Sequence, residues 1–307
     1  MPERIIARPL FRPESEELRY LPECPRVIGS NLLWVSIQYS RDCPQGGLNV
    51  LDLATLRNHH HPLPGRPGFF VETADPDVLL IGLERRLVHF RLSTSAVVDT
   101  VAVLPEDPRV IINDGLAIPG GVIFGTKELT FTHPFAALWH FDIASGQLRE
   151  LRGGQTCSNG KYLHAGRLVD IDSTPRTITE YRWNGALEPV RLIAPPESLP
   201  AIPDGMRPVS EGRSVIVAFY NPEPVSDGIA HEMRLSDGAV QREWVVPGSP
   251  RVTCPEVAQF EGRPHVFFTT AVEGMPEGHR ALAPEAGTIF VTELREVVSG
   301  ATVGVQM

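Results

Sequence analysis

Ser158-Asn159-Gly160 is followed 45 residues later, at the polar position, by Pro203-Asp204-Gly205-Met206, and preceded 46 residues earlier by Ile112-Asn113-Asp114-Gly115. Another 90 residues upstream of Asn113, close to two such intervals, lies Glu23 in Leu21-Pro22-Glu23-Cys24-Pro25. One four-stranded blade of a β-propeller consumes about 45 residues, and equivalent positions in successive blades face one central axis. The spacing therefore predicts that two carboxylates and two carboxamides converge. Such a set offers only oxygen donors and two negative charges, the chemistry of a site for a hard dication such as Ca²⁺.

Working outward, the 307 residues divide into six such units, and we read residues 1–307 as one all-β domain, a six-bladed propeller. Short apolar runs punctuated by 29 Pro and 27 Gly supply the strands, as in Asn31–Ile37, Val78–Gly82, Gly121–Thr126, Arg167–Ile171, Val215–Phe219 and Val266–Thr270. Asn184-Gly185 is a strong hairpin signal. The second unit has no polar pivot and reads Pro67-Gly68-Phe69-Phe70 where one is expected. The β-like run Ile5–Pro9 is expected to complete the last blade, because a closed ring removes exposed sheet edges. His59-His60-His61 reads as a solvated loop, since consecutive side chains on a strand alternate faces and do not share a metal.

Together with Phe267-Phe-Thr-Thr-Ala271, Glu273-Gly-Met275 and Pro284-Glu-Ala-Gly287, these segments resemble the SMP-30/gluconolactonase/luciferin-regenerating-enzyme family of six-bladed propellers over essentially the whole chain. The resemblance implies that Glu23, Asn159 and Asp204 are the direct ligands of one divalent cation, and that Asn113 lies beside it and contacts substrate. Ca²⁺ is the expected ion, with Mg²⁺, Mn²⁺ and Zn²⁺ as alternatives; oxygen-only donors disfavour zinc. The implied reaction is hydrolysis of a lactone, with the cation polarising the carbonyl and Asp204 as the candidate general base. The alternatives are phosphotriester or aryl-ester hydrolysis at the same site, and a non-catalytic calcium-binding or interaction propeller.

This chain departs from the family at two places. Sugar-lactone hydrolases of the group carry Arg two residues before the Asn of Asn-Asp-Gly, where this chain has Ile111. Arg109 is a candidate replacement on the same strand face, about 13 Å of extended chain from Asn113. The family's Gly-Thr-Met becomes Gly125-Thr126-Lys127 followed by Glu128, which makes Lys127 and Glu128 further candidates for substrate binding; the bland alternative is a solvated Lys127 paired with Glu128. A substrate different from a simple aldonolactone is expected.

Composition excludes several classes. The net charge of −9 without a Lys/Arg stripe argues against nucleic acid as partner. No apolar run reaches the ~18 residues of a membrane span, and Met1–Ile6 lacks a secretory layout, so a cytoplasmic protein is expected. Four cysteines without CxxC spacing read as free thiols. No nucleophile elbow, phosphate loop or dinucleotide fingerprint is present. The expected partner is a small lactone or ester, and the sequence carries no signature of oligomeric state.

Overall fold

In a computed structural model that describes residues 2–184 and 186–294, the strands assemble into six sheets. The innermost strands are Pro22–Ile28, Pro67–Glu72, Val110–Ile118, Ser158–His164, Ile202–Val209 and Val252–Phe260. Each packs against the next and the last against the first, so the ring closes as a six-bladed propeller. The expected single domain extends over 295–307, which lie outside the described residues.

Burial explains which strand lies where. The second strands Asn31–Ser36, Val78–Leu83 and Gly121–Glu128 are buried almost throughout, because neighbouring blades cover both their faces. The outermost strands Ala96–Val103 and Gln147–Gln155 are largely exposed. Aromatic side chains fill the wedges between blades: Phe69 stacks on Phe124 with ring centroids 5.9 Å apart, and Trp244 meets Phe268 at 6.2 Å.

Closure uses the N-terminal segment in two pieces. Glu3–Ile6 runs parallel to Val240–Val246 on the outer edge of blade five, and Arg8–Phe11 pairs antiparallel with Ile289–Glu293 to complete blade six. The strand expected over Ile5–Pro9 is thus broken at Ala7 and serves two blades rather than one. The histidine triplet also departs from expectation: it lies on Asn58–Leu63, the outer strand of blade one. His61 is buried with Nδ1 2.7 Å from Ser95 Oγ, and burial first, then its neighbouring histidines, hold its pKa down to about 4. Gly185 of the expected Asn184-Gly185 turn lies outside the described residues; the flanking Trp183 and Leu187 pair with each other.

Candidate active site

The four pivots owe their common direction to β-bulges. On the third blade's inner strand the ladder pairs Ile112 with Thr126 and next Gly115 with Phe124, so three steps on one strand oppose two on the other. The same extra residue occurs at Ser158–Lys161 and Pro203–Met206. Asn113, Asn159 and Asp204 each follow the last paired residue of such a bulge, which bends the strand and re-aims the side chain. Glu23 sits one place earlier, on the paired residue that opens the bulge Glu23–Arg26. The next residue, Cys24, has φ +51° and turns into the core. The near-regular sequence interval therefore conceals a one-residue offset, and the longer Glu side chain still lines the same cavity.

Close packing of the inner strands requires glycine beside two pivots. A Cβ on Gly160 would lie 2.4 Å from Met206 N, and one on Gly68 would lie 2.0 Å from the Asn113 carbonyl oxygen. Blade two thus contributes backbone clearance where the others contribute polar side chains.

The cavity occupies about 390 Å³ at one mouth of the channel. Glu23, Asn113, Lys127, Asn159, Asp204 and Glu273 supply its charged and carboxamide groups, and Leu21, Phe131 and Ile202 supply apolar wall. Toward the other mouth, buried Arg207 donates from Nε to Glu256 at 2.8 Å, from Nη1 to the Met206 carbonyl at 2.8 Å and from Nη2 to the Pro25 carbonyl at 3.4 Å. This guanidinium ties blades five, six and one together beneath the cavity.

The donor set fits a hard cation. Asp204 Oδ1 is buried with no hydrogen-bond partner, a costly arrangement for a carboxylate oxygen that a cation would satisfy. Asn159 Nδ2 donates to Ser173 Oγ at 3.2 Å, and Asn113 Nδ2 donates to the Ser158 carbonyl at 3.1 Å, which leaves each Oδ1 as the acceptor end. Among the described residues no three His, Cys, Asp or Glu side chains cluster as a metal site. A cation here would draw on carboxamide as well as carboxylate oxygens.

Electrostatics point the same way. Burial drives the Glu23 carboxyl well above the ordinary carboxylate range, and the charges of Asp204 and Asp114 add to it. Asp204 is raised chiefly by burial; the Lys127 ammonium offsets part of this, while Asp114 and Glu273 work against ionisation. Burial also raises Glu273, against the pull of Lys127 and Arg251. Three carboxyl groups facing one small cavity resist ionising together until a positive charge joins them.

Residues 21–271 match the SMP-30/gluconolactonase/LRE-like region. The chain belongs to this family. A curated relative, L-arabinolactonase of Azospirillum brasilense, is 27% identical over 241 residues, 76% of each chain. The calcium-binding regucalcin of Agrobacterium tumefaciens superposes with a TM-score of 0.79 at 18% identity, covering 95% of both chains. A luciferin-regenerating enzyme gives 0.77 at 18% identity over 94% of this chain and 96% of its own. At these identities the solved structures establish the shared fold.

Within this member of the family, two predicted substrate contacts fall elsewhere. Arg109 precedes the inner strand, donates from Nε and Nη2 to Asp107 at 2.8 and 2.6 Å, and stacks 3.7 Å over the Phe135 ring. Its exposed side chain is committed outside the cavity, so the even offset from Asn113 does not place it on a shared strand face. Glu128 accepts from the backbone N–H groups of Thr130, Thr132 and His133 at 3.1, 2.9 and 3.3 Å, and from the Thr130 hydroxyl. These bonds outweigh burial and hold its pKa down to about 2, the signature of a loop cap. Lys127 does face the cavity, while the Glu128 carboxylate is taken up by its own loop.

Sequence reasoning assigned no role to Ser173, Tyr220 or Glu273. Tyr220 donates to the Glu273 backbone carbonyl at 3.1 Å, and burial keeps its phenol neutral far above its usual range. Ser173 accepts from Asn159 and donates to the Pro203 carbonyl at 2.7 Å, linking two pivots. Glu273 lies in a segment already noted for the family, on the loop between Arg263–Thr270 and Ile289–Glu293 of blade six, and its contact with the cavity follows from that loop's path and not from the repeat spacing. Cys24, Cys157 and Cys254 are buried, Cys43 is partly exposed, and all four are free.

Proposed function

We propose that the protein is a lactonase-type hydrolase whose cavity holds one divalent cation, Ca²⁺ by preference, on Glu23, Asn159 and Asp204. The observation that carries this reading is the unpartnered Asp204 Oδ1 within a set of oxygen donors on converging bulges. Membership of the family and the likeness to L-arabinolactonase support the choice of ester.

A bound hard dication supplies a positive centre that polarises the ester carbonyl and favours the oxyanion. The chain's own residues do the rest. Leu21, Phe131 and Ile202 hold the ring and limit access of bulk water. Asn113 orients substrate through its carboxamide. Asp204, through the carboxylate oxygen the cation would leave free, takes the proton from the attacking water as the new C–O bond forms, and returns it to the ring oxygen as the ester C–O bond breaks.

Among the described residues no helix is long and apolar enough to cross a membrane. Free thiols throughout support a reducing compartment, and we place the protein in the cytoplasm.

The test is the metal content of purified wild type beside Glu23→Gln and Asp204→Ala, followed by hydrolysis of lactone, aryl-ester and phosphotriester panels with and without added ion. One cation lost in both variants, with ion-dependent lactone opening, supports the proposal. A wild type that takes up no cation overturns it, and turnover confined to phosphotriesters or aryl esters reassigns the bond.

A further inference from the structure

Lys127 lies on Gly121–Glu128 in blade three, 7% exposed, and lines the cavity. No hydrogen bond or ion pair within 4 Å engages its ammonium among the described residues. An ammonium removed from bulk water and left unpaired is costly, so an uncharged side chain of similar length would serve packing better. The Lys127 charge offsets burial at Asp204, Glu273 and Glu23, but the ammonium bonds none of them directly. A dication held by Glu23 and Asp204 would match the charge of those two, and Glu273 enters from the loop following Arg263–Thr270 of blade six, across the ring from blade three. With such an ion in place the remaining charges of the cavity would be the Lys127 ammonium on blade three and the Glu273 carboxylate on the blade-six loop.

We propose that Lys127 selects a lactone bearing a carboxylate, which it binds on the blade-three side while Glu273 repels the reversed orientation. This deepens the lactonase reading and rests on it for the reacting bond, but the anion preference is separately measurable. A charge-assisted hydrogen bond in a desolvated site gives about ten- to a hundredfold preference over an uncharged isostere.

The experiment compares kcat/KM for 5-oxotetrahydrofuran-2-carboxylate and its primary amide, in wild type, Lys127→Met and Lys127→Arg, each verified for an unchanged circular dichroism spectrum. Wild type should favour the acid at least tenfold, Lys127→Met should abolish that ratio, and Lys127→Arg should restore most of it. A wild type that favours the amide, or an unchanged ratio in Lys127→Met, overturns the proposal. Calorimetric binding of 3-oxocyclopentanecarboxylate, which cannot be hydrolysed, separates the two readings. Binding weakened at least tenfold in Lys127→Met without turnover of any lactone leaves the anion site standing and sinks the lactonase reading. Equal binding to both proteins, or none to wild type, sinks the anion site.

Discussion

Replacing Asp204 by Asn should change stability in opposite directions with and without the cation. In the ion-free protein Asp204 Oδ1 is buried without a partner, and its ionisation is opposed by burial and by Asp114 and Glu273. An unsatisfied buried group of this kind costs about 1–3 kcal/mol. Asn removes the charge, and its new N–H donors face the remaining carboxylates. With an unfolding entropy of about 2.1 cal/mol/K per residue, the 307-residue chain converts that gain to a Tm increase of roughly 2–5 °C in chelator. With Ca²⁺ at a hundred times its Kd, wild type should gain about 2.7 kcal/mol, roughly 4 °C on the same scale, and Asp204→Asn should gain much less. Turnover of the variant at saturating ion should fall about 10²–10⁴-fold through loss of the base. Paired melts by circular dichroism in EDTA and in Ca²⁺ read all but the last. A variant that melts below wild type in EDTA would refute the reasoning, since Oδ1 would then be stabilising as it stands.

Three further outcomes follow from the same geometry. In chelator, stability should fall as pH rises above about 4.5, the ordinary carboxylate range, because Glu23, Asp204 and Glu273 have raised folded pKa values and the native state binds more protons than the unfolded one. Glu128, held at about 2, acts oppositely by losing its contribution as pH falls toward 2, so urea midpoints against pH should peak on the acid side of neutrality without the ion and flatten with it. Gly160→Ala should force apart the inner strands of blades four and five, since its Cβ would meet Met206 N at 2.4 Å; calorimetric Ca²⁺ affinity should fall at least tenfold and stability by about 1–3 kcal/mol. Arg109→Ala should leave kcat/KM on any turned-over lactone within about twofold and cost no more than about 1 kcal/mol by urea denaturation, its ion pair with Asp107 being exposed.

The propeller was legible because a blade is a repeating unit of nearly constant length, and a polar side chain on four of the six inner strands marks that period against apolar surroundings. Asn113, Asn159 and Asp204 were found by this period alone. Glu23 was found by the same arithmetic although its backbone position is offset by one, a difference that only the bulge register and the left-handed Cys24 reveal. Arg109 could not be placed from its offset, because strand periodicity does not extend into the Asp107–Arg109 loop, where a nearby carboxylate and aromatic ring decide the side chain. Lys127 and Glu128 are adjacent, so alternation puts them on opposite faces, but which face meets the cavity depends on the ladder to the neighbouring strand. Glu273 and Tyr220 come from loop and strand end, where contact is set by how the ring closes and not by spacing.

The division of the N-terminal segment between blades five and six has a consequence for biogenesis. The segment is translated well before either of its partners: Glu3–Ile6 precedes Val240–Val246 by about 240 residues, and Arg8–Phe11 precedes Ile289–Glu293 by about 280. At about 5–20 residues per second, the segment waits roughly 15–60 s for a strand to join. The interval leaves Ile5 and Leu10, half-buried in the closed ring, unsheltered on a growing chain, and makes ring closure a late event. Deleting residues 2–11 should therefore lower the yield of native protein more than its equilibrium stability, with the lost fraction recovered from the insoluble pool.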